Sequence, residues 1–220
     1  MKTTEIEIPI GEITVKGNLT VPLDPVCFVI FSHGSGSSRF SSRNKFVAEI
    51  FLKEKIAVLL TDLLTEEEDK IFENRFNIDL LTKRLIAVTA FVRQRSDLKE
   101  LPVGYFGAST GAASALQAAA ELGETIQAVV SRGGRPDLAK NLSQVKAPTL
   151  LIVGSLDTDV IKLNEYAYLL LNCEKKTEIV NGATHLFEEP GALPTVAELA
   201  MGWFKTYLLN PKKIKYAVSE

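Results

Sequence analysis

Three side chains of this sequence could together perform acyl transfer: Ser109, Asp157 and His185. Ser109 lies in a G-x-S-x-G stretch that follows an apolar run and opens an alanine-rich helical pattern. Such a strand–turn–helix setting holds a serine hydroxyl above the edge of a sheet, where a base and a substrate can both reach it. A serine hydroxyl is a weak nucleophile at neutral pH, so it needs a base to take its proton. The chain has only 2 histidines, which shortens the search for that base.

His185 is the candidate general base, because it follows the last predicted strand and completes the chain order Ser…Asp…His. The acidic member of such a set accepts a hydrogen bond from the imidazole, fixes its tautomer and stabilises its charged form. We assign this role to Asp157, the first acidic residue after its strand. Asp159 is better placed to cap the helix predicted to begin at Val160. A capping role for Asp157 itself is the alternative.

Acyl transfer also needs hydrogen-bond donors aimed at the developing oxyanion. The backbone N–H of Thr110, which follows the nucleophile, is expected to be one donor. The second is expected from the loop after the first parallel strand, where His33 and Gly34 precede Ser35. We predict that the Ser35 N–H is this donor and that His33 contacts the substrate. A phosphate cradle is the alternative use of this loop, although the loop lacks the lysine of a P-loop.

Four arginines follow two of the predicted strands: Arg39, Arg43, Arg132 and Arg135. Arginine holds a carboxylate in a bidentate pair better than lysine does. We therefore hypothesise that some of these arginines bind an anionic acyl or lactone substrate. The alternative is salt bridging at the surface, for instance with the acidic stretch at residues 66–69.

The elements that must position these residues are predicted to form a mixed sheet. Two strands with alternating apolar residues come first, at 5–9 and 13–20. Continuous apolar runs then alternate with helical patterns, which is typical of parallel strands buried on both faces. The predicted later strands are 26–32, 56–62, 103–108, 126–131, 148–154 and 176–180, and the predicted helices are 42–53, 77–96, 111–122, 160–171 and 195–208. Ligands bind at the carboxyl ends of parallel strands in such sheets, where the candidate residues lie.

The totals fit one α/β domain over residues 1–220, with a mostly parallel sheet, helices on both faces and no large cap domain. A formal net charge of -2 gives no reason to expect nucleic acid as a partner. The sequence shows no bilayer-spanning run and no signal peptide, and its 2 cysteines lack metal or redox spacing. We therefore expect a cytoplasmic monomer or homodimer that needs no cofactor, metal or membrane.

One stretch, residues 64–77, allows two interpretations. It carries four consecutive acidic residues, followed by Phe72 and Phe76. In the first interpretation the stretch begins a surface helix whose acidic side chains are solvated. A small lid over the site would instead turn the two phenylalanines towards the substrate.

The sequence resembles the α/β-hydrolase superfamily and, more narrowly, its dienelactone hydrolase-like branch. Segments 31–39, 107–111, 154–160 and 182–187 carry the resemblance. Dienelactone hydrolases have a cysteine in the elbow where this chain has Ser109, so the resemblance implies a serine hydrolase of that shape, acting on a small ester or lactone. Some relatives are joined to a phosphoribosyltransferase domain, which we do not expect here. The alternatives are acyl transfer to another acceptor by the same three residues, and a catalytically silent scaffold that binds a partner.

Overall fold

A computed structural model describes residues 2–209, which form an eight-stranded sheet with helices on both faces. The strands are β1 (Thr3–Ile10), β2 (Ile13–Thr20), β3 (Cys27–Ser32), β4 (Ile56–Thr61), β5 (Val103–Ala108), β6 (Ala128–Arg132), β7 (Thr149–Gly154) and β8 (Lys175–Val180). The α-helices are α1 (Ser42–Lys53), α2 (Glu66–Asp69), α3 (Ile78–Val92), α4 (Thr110–Leu122), α5 (Thr158–Leu170) and α6 (Ala192–Leu208). The prediction of a single domain over 1–220 extends beyond this part of the chain and stays a prediction.

The strand order is β1-β2-β4-β3-β5-β6-β7-β8. β2 pairs antiparallel with both β1 and β4, and the remaining neighbours pair parallel. The predicted fold class, a mostly parallel sheet with an antiparallel N-terminal part and helices on both faces, is confirmed. The chain moves outward from β3 in one direction and from β5 in the other. This switch opens a crevice at the carboxyl ends of β3 and β5.

Two apolar layers enclose the sheet. Side chains from α3, α4 and α5 fill one layer, and side chains from α1 and α6 fill the other. In the second layer the rings of Phe31, Phe51, Phe106 and Phe204 pack with centroid distances between 4.9 and 6.1 Å. Every residue of β3, β4, β5, β6 and β7 is buried. These strands read as continuous apolar runs because both of their faces are covered.

The stretch at residues 64–77 contains the short helix α2 and a 3-10 turn, Phe72–Phe76. α2 begins with a capping box, in which Thr65 and Glu68 satisfy each other's backbone amides. Phe72 is 63% exposed and Phe76 is 45% exposed. The rings contact each other, with centroids 5.1 Å apart. The structure thus places a short helix and two solvent-facing phenylalanines at the surface, and the lid stays a hypothesis.

Within residues 2–209, no helix combines the length and the apolar character needed to cross a membrane.

Candidate active site

Ser109 forms the turn between β5 and α4. Its backbone has φ 51 and ψ -124, a conformation that non-glycine residues rarely adopt and that costs about 1–3 kcal/mol. Neighbouring backbone groups hold it there: its N–H donates to the Arg132 carbonyl at 3.2 Å, and its carbonyl accepts the N–H of Arg135 at 3.0 Å. The side chain of Ser109 is half-buried. These two hydrogen bonds therefore hold Ser109 in its strained conformation at the carboxyl end of β5.

The loop after β3 lies directly against this turn, and two glycines make the approach possible. A Cβ on Gly111 would collide with the carbonyl oxygens of Ser32 and His33. A Cβ on Gly34 would lie 3.0 Å from the Cβ of Ser109. The two segments predicted to supply oxyanion donors are consequently in contact.

Asp157 and His185 are joined by a hydrogen bond of 2.6 Å between Oδ2 and Nδ1. Asp157 immediately precedes α5, but its side chain makes no capping bond to that helix. Nδ1–H of His185 donates to the carboxylate, which leaves Nε2 as the nitrogen that can take a proton. Asp159, by contrast, is 93% exposed, and its carboxylate lies 4.0 Å from the ammonium group of Lys162. Geometry therefore pairs the histidine with Asp157.

Backbone contacts bring the Asp157–His185 pair towards the serine turn. Gly133, one residue beyond β6, packs so closely on the histidine loop that a Cβ there would lie 3.0 Å from the His185 carbonyl oxygen and 3.6 Å from its Cε1. Phe187, two residues after His185, is fully buried and has φ 57. The buried side chain of Phe187 thus anchors the histidine loop to the hydrophobic core. Ser109, Asp157 and His185 follow β5, β7 and β8 and lie at one edge of the sheet.

The two predicted oxyanion donors, the backbone N–H groups of Ser35 and Thr110, differ in whether they already have a hydrogen-bond partner. The Ser35 N–H donates to the hydroxyl of Thr110 at 2.8 Å, so this amide already has an acceptor inside the protein. The Thr110 N–H lies in the first turn of α4, where backbone amides have no partner within the helix. Thr110 is 3% exposed. The Ser35 amide can therefore reach a substrate oxygen only by sharing or exchanging its hydroxyl partner.

His33 is buried beside the elbow. Its Nδ1–H donates to the Gly34 carbonyl at 2.9 Å, which fixes the tautomer. Burial lowers the pKa of His33, against the opposing effect of the Asp62 and Asp69 charges. The imidazole therefore stays neutral at pH 7. It lines a cleft of about 220 Å³ together with these two aspartates.

Arg39 and Arg135 are engaged in ion pairs. The guanidinium of Arg39 binds Asp62 and, at 3.0 Å, Glu5. The guanidinium of Arg135 binds both oxygens of Asp137, at 2.9 and 2.8 Å. Acidic side chains thus already neutralise both guanidinium groups, and substrate binding by these two residues stays a hypothesis. Salt bridging was the alternative, although the partners are not the predicted residues 66–69.

Arg132 and Arg43 are less fully paired with acidic side chains than Arg39 and Arg135 are. Arg132 is 7% exposed, and its Nε and Nη1 have no hydrogen-bond partner in the described chain. Burial, with a smaller contribution from the charge of Arg43, lowers the pKa of Arg132 to about 10. The group is therefore still charged at neutral pH. Arg43 itself reaches only the exposed Glu188, at 2.8 Å.

Two contributors to the site were not predicted from the sequence: Asp62 and the hydroxyl of Thr110. Asp62 accepts the backbone N–H of Arg39 at 2.8 Å in addition to its guanidinium, and so it fixes the far end of the loop after β3. Its position at the end of a predicted strand was the available signal. Thr110 carried no signal beyond its place after the nucleophile.

A sheet of this order with a strained serine at the turn after β5 defines an α/β-hydrolase. A dienelactone hydrolase from Anabaena variabilis ATCC 29413, known from a crystal structure, is 52% identical to this chain, with a TM-score of 0.91, and the match covers 94% of this chain and 98% of that one. This chain belongs to the dienelactone hydrolase-like family.

Two proteins of Mycobacterium tuberculosis, from strains H37Rv and CDC 1551, are 51% identical over 212 residues, which is 96% of this chain. Both carry the provisional name phosphoribosyl transferase. The match covers 48% of their length, so the chain spans about half of these curated relatives.

Est1E from Butyrivibrio proteoclasticus is 15% identical, with a TM-score of 0.78 and coverage of 92% of this chain and 98% of its own. At that identity the likeness concerns the fold. No protein-family model matches the chain.

Proposed function

We propose that this protein is a serine hydrolase that cleaves a small carboxylic ester or lactone through an acyl-enzyme on Ser109. The observation that carries the proposal is the 2.6 Å bond between His185 Nδ1 and Asp157 Oδ2, at the sheet edge that also holds the strained turn of Ser109. A histidine oriented by a carboxylate and a serine held in an elbow are the two parts that nucleophilic acyl transfer requires.

The reaction needs only groups of this chain and water. Nε2 of His185 takes the hydroxyl proton of Ser109 while Oγ attacks the acyl carbonyl. The resulting imidazolium, stabilised by Asp157, gives that proton to the leaving oxygen as the ester bond breaks. A water molecule then loses a proton to His185 and attacks the acyl-enzyme, and the proton returns to Oγ as the acid departs. No cofactor enters these steps.

Neither cysteine can replace the serine as nucleophile. Cys27 is buried within β3, and burial raises the pKa of its thiol to about 12. Burial also raises the pKa of Cys173, which precedes β8. A thiol with a raised pKa holds little thiolate at neutral pH and is a poor nucleophile. The proposed nucleophile is therefore a serine, whereas dienelactone hydrolases use a cysteine.

The Thr110 N–H and the loop at Ser35 are proposed to donate hydrogen bonds to the oxyanion, with His33 beside them.

Acyl transfer to another acceptor would use the same residues, and a silent scaffold would use none of them. The transferase activity in the names of the mycobacterial relatives is not part of the proposal, because the match covers only 48% of those proteins and the fold here is that of hydrolases.

Labelling with a fluorophosphonate probe, followed by intact mass, tests the proposal. We expect wild type to gain one adduct and Ser109→Ala to gain none. Ser37→Ala, in the neighbouring loop, is the matched control and should label like wild type. Folded wild type that takes no label would favour the silent scaffold. Ester consumption with and without an added alcohol then separates hydrolysis from acyl transfer.

A further inference from the structure

Strand β8 forms one edge of the sheet, and within residues 2–209 no strand pairs with its outer side. An edge strand presents a row of free backbone donors and acceptors, which can pair with a strand of another chain. Proline residues and bulges commonly prevent such pairing. β8 has the sequence KKTEIV, which contains no proline, and its register with β7 is continuous, without a bulge. Its outer side is therefore a regular surface on which a further strand could pair.

Every second residue of β8 bonds to β7. Just before β8, the Glu174 carbonyl accepts the N–H of Thr149 at 2.8 Å. At the end of β8, the Val180 carbonyl accepts the N–H of Ser155 at 2.9 Å. The N–H and C=O groups of successive residues in a strand point to opposite sides, so the even-numbered residues of β8 bond to β7. The outward groups are those of the odd-numbered residues: Lys175, Thr177 and Ile179.

Two β8 strands can use all of these outward groups when they pair antiparallel around Thr177. Thr177 then lies opposite Thr177 of the second copy, and Lys175 lies opposite Ile179, each as a hydrogen-bonded pair. Lys176 of each copy lies opposite Glu178 of the other, at the positions where the side chains of the two strands are closest. Opposite charges in such positions stabilise a strand pair, and like charges destabilise it. The sequence of β8 is thus complementary to itself in this register.

Other registers that use the same outward groups lack this complementarity. A shift by two residues places either Lys176 opposite Lys176 or Glu178 opposite Glu178 of the second copy. Lys175 does not disturb the pairing, because its ammonium group binds the carbonyls of Tyr168 and Leu171 at 2.7 and 2.5 Å. Charge therefore selects one register among those that the backbone groups allow.

Apolar side chains lie on both sides of this edge. On the side of α5, Ile179 and three residues of the helix are exposed: Tyr166, Leu169 and Leu170. On the side of α6, a groove of about 500 Å³ lies beside Lys176 and Glu178. Its apolar lining comes from Leu150, Leu199, Trp203 and Tyr207. Exposed apolar surface rimmed by polar residues is typical of protein–protein contacts, and a second copy would bury part of it.

The opposite edge of the sheet, β1, is not suited to such self-pairing. It contains Pro9, and its two charged residues are both acidic, Glu5 and Glu7. Proline removes a donor from the ladder, and no basic residue of this strand can lie opposite an acidic residue of a second copy. Only β8 therefore combines free backbone groups with charges that complement their own copy.

We propose that two copies of this chain associate through antiparallel pairing of their β8 strands around a two-fold axis at Thr177. The two eight-stranded sheets then form one continuous sheet. Two-fold dimers are the commonest oligomers, and each copy uses the same surface in them. Because the paired β8 strands run in opposite directions, the two candidate active sites lie at opposite edges of the joined sheet. Association needs no group of the proposed catalytic set, so either proposal can fail without the other.

Charge reversal tests the register, with molar mass measured by light scattering during gel filtration of near-millimolar to micromolar protein. We expect wild type to have twice the monomer mass at the upper end of this dilution series. Lys176→Glu places a carboxylate opposite Glu178 of the second copy, twice in each dimer, and should weaken association by about 10-fold or more. Lys176→Glu/Glu178→Lys restores opposite charges and should restore the dimer. Lys99→Glu, in an exposed pair with Glu100, is the matched control and should leave association unchanged.

Thr177→Pro tests the backbone pairing. Proline removes the outward N–H of Thr177, while its neighbours keep their bonds to β7, and edge strands tolerate proline at such positions. We expect a monomer that remains folded by circular dichroism, whereas Thr177→Val keeps the N–H and should dimerise like wild type. A monomeric wild type would leave the β8 edge to a different partner and overturn the proposal. A dimer that withstands Lys176→Glu, or that the double reversal fails to restore, would overturn it as well.

Discussion

The backbone amide of Ser35 donates a hydrogen bond to the hydroxyl of Thr110, with 2.8 Å between N and Oγ1. The bond joins the loop after β3 to the first residue of α4. A hydroxyl can accept one hydrogen bond and donate another, so Thr110 can hold the Ser35 amide and still offer its own hydrogen to a substrate oxygen. Its backbone N–H is a further donor at the same place. Thr110 therefore links the two predicted oxyanion donors, because its hydroxyl binds the Ser35 amide and its own backbone N–H is the other donor.

We expect Thr110→Val to lower kcat by about tenfold or more with little change in KM. Valine keeps the shape of threonine but removes a donor that acts when charge develops on the substrate oxygen. Thr110→Ser keeps the hydroxyl and should retain most of the activity. Steady-state kinetics with a neutral ester measures both variants, and Tm checks that they fold. Equal kcat in wild type and Thr110→Val would leave the bond a purely structural role.

We expect Gly111→Ala to destabilise the protein by about 3 kcal/mol or more. Its Cβ would strike two backbone carbonyls, and backbone cannot move aside as a flexible side chain can. Gly202→Ala, in the middle of α6, is the matched control. A Cβ there meets nothing within 4 Å, so alanine should stabilise the helix by about 0.5–1 kcal/mol. Urea unfolding of both variants gives the two values, and a neutral Gly111→Ala would contradict the close contact.

The sequence predicted the sheet well because its signals are local. Buried parallel strands are continuous apolar runs, and β5 and β7 were predicted to within one residue of their bounds. The pairing of Asp157 with His185 was predicted from the chain order and from the place of Asp157 as the first acidic residue after its strand. The acidic partners of Arg39 could not be predicted, since Glu5 lies in β1 and Asp62 directly follows β4, both distant from Arg39 in the sequence.

Helix ends were less predictable than helices. The pattern predicted a helix over 77–96, whereas α3 begins after Asn77, which caps it, and ends at Val92. The residues beyond Val92 continue as turns that bring Leu98 into the core. Such an ending depends on what the chain must reach next, which a local pattern does not contain.

We expect Asp157→Asn to slow hydrolysis by about 10³- to 10⁴-fold. The amide keeps the size of the carboxylate, but it no longer stabilises the imidazolium and favours the wrong tautomer of His185. Asp159→Asn changes an exposed carboxylate two residues further on, in the first turn of α5, and should behave like wild type. The rate of fluorophosphonate labelling, measured alongside ester hydrolysis, reports on the nucleophile itself. If both aspartate variants kept full rates, Asp157 would not be the orienting acid.

His33 should make folding stability depend on pH. Burial lowers its pKa below the ordinary value of 6.5, so at mildly acidic pH the unfolded chain binds a proton that the folded chain does not. The free energy of unfolding therefore falls as pH drops below 6.5, with a slope of at most about 1.4 kcal/mol per pH unit from this group. In His33→Asn this dependence disappears, while the side-chain amide can still donate to the Gly34 carbonyl. Urea unfolding of both proteins between pH 7.5 and pH 5 (about one unit either side of the ordinary value) gives the difference curve, in which other titrating groups cancel. A flat difference would show that folded His33 binds its proton as readily as the unfolded chain does.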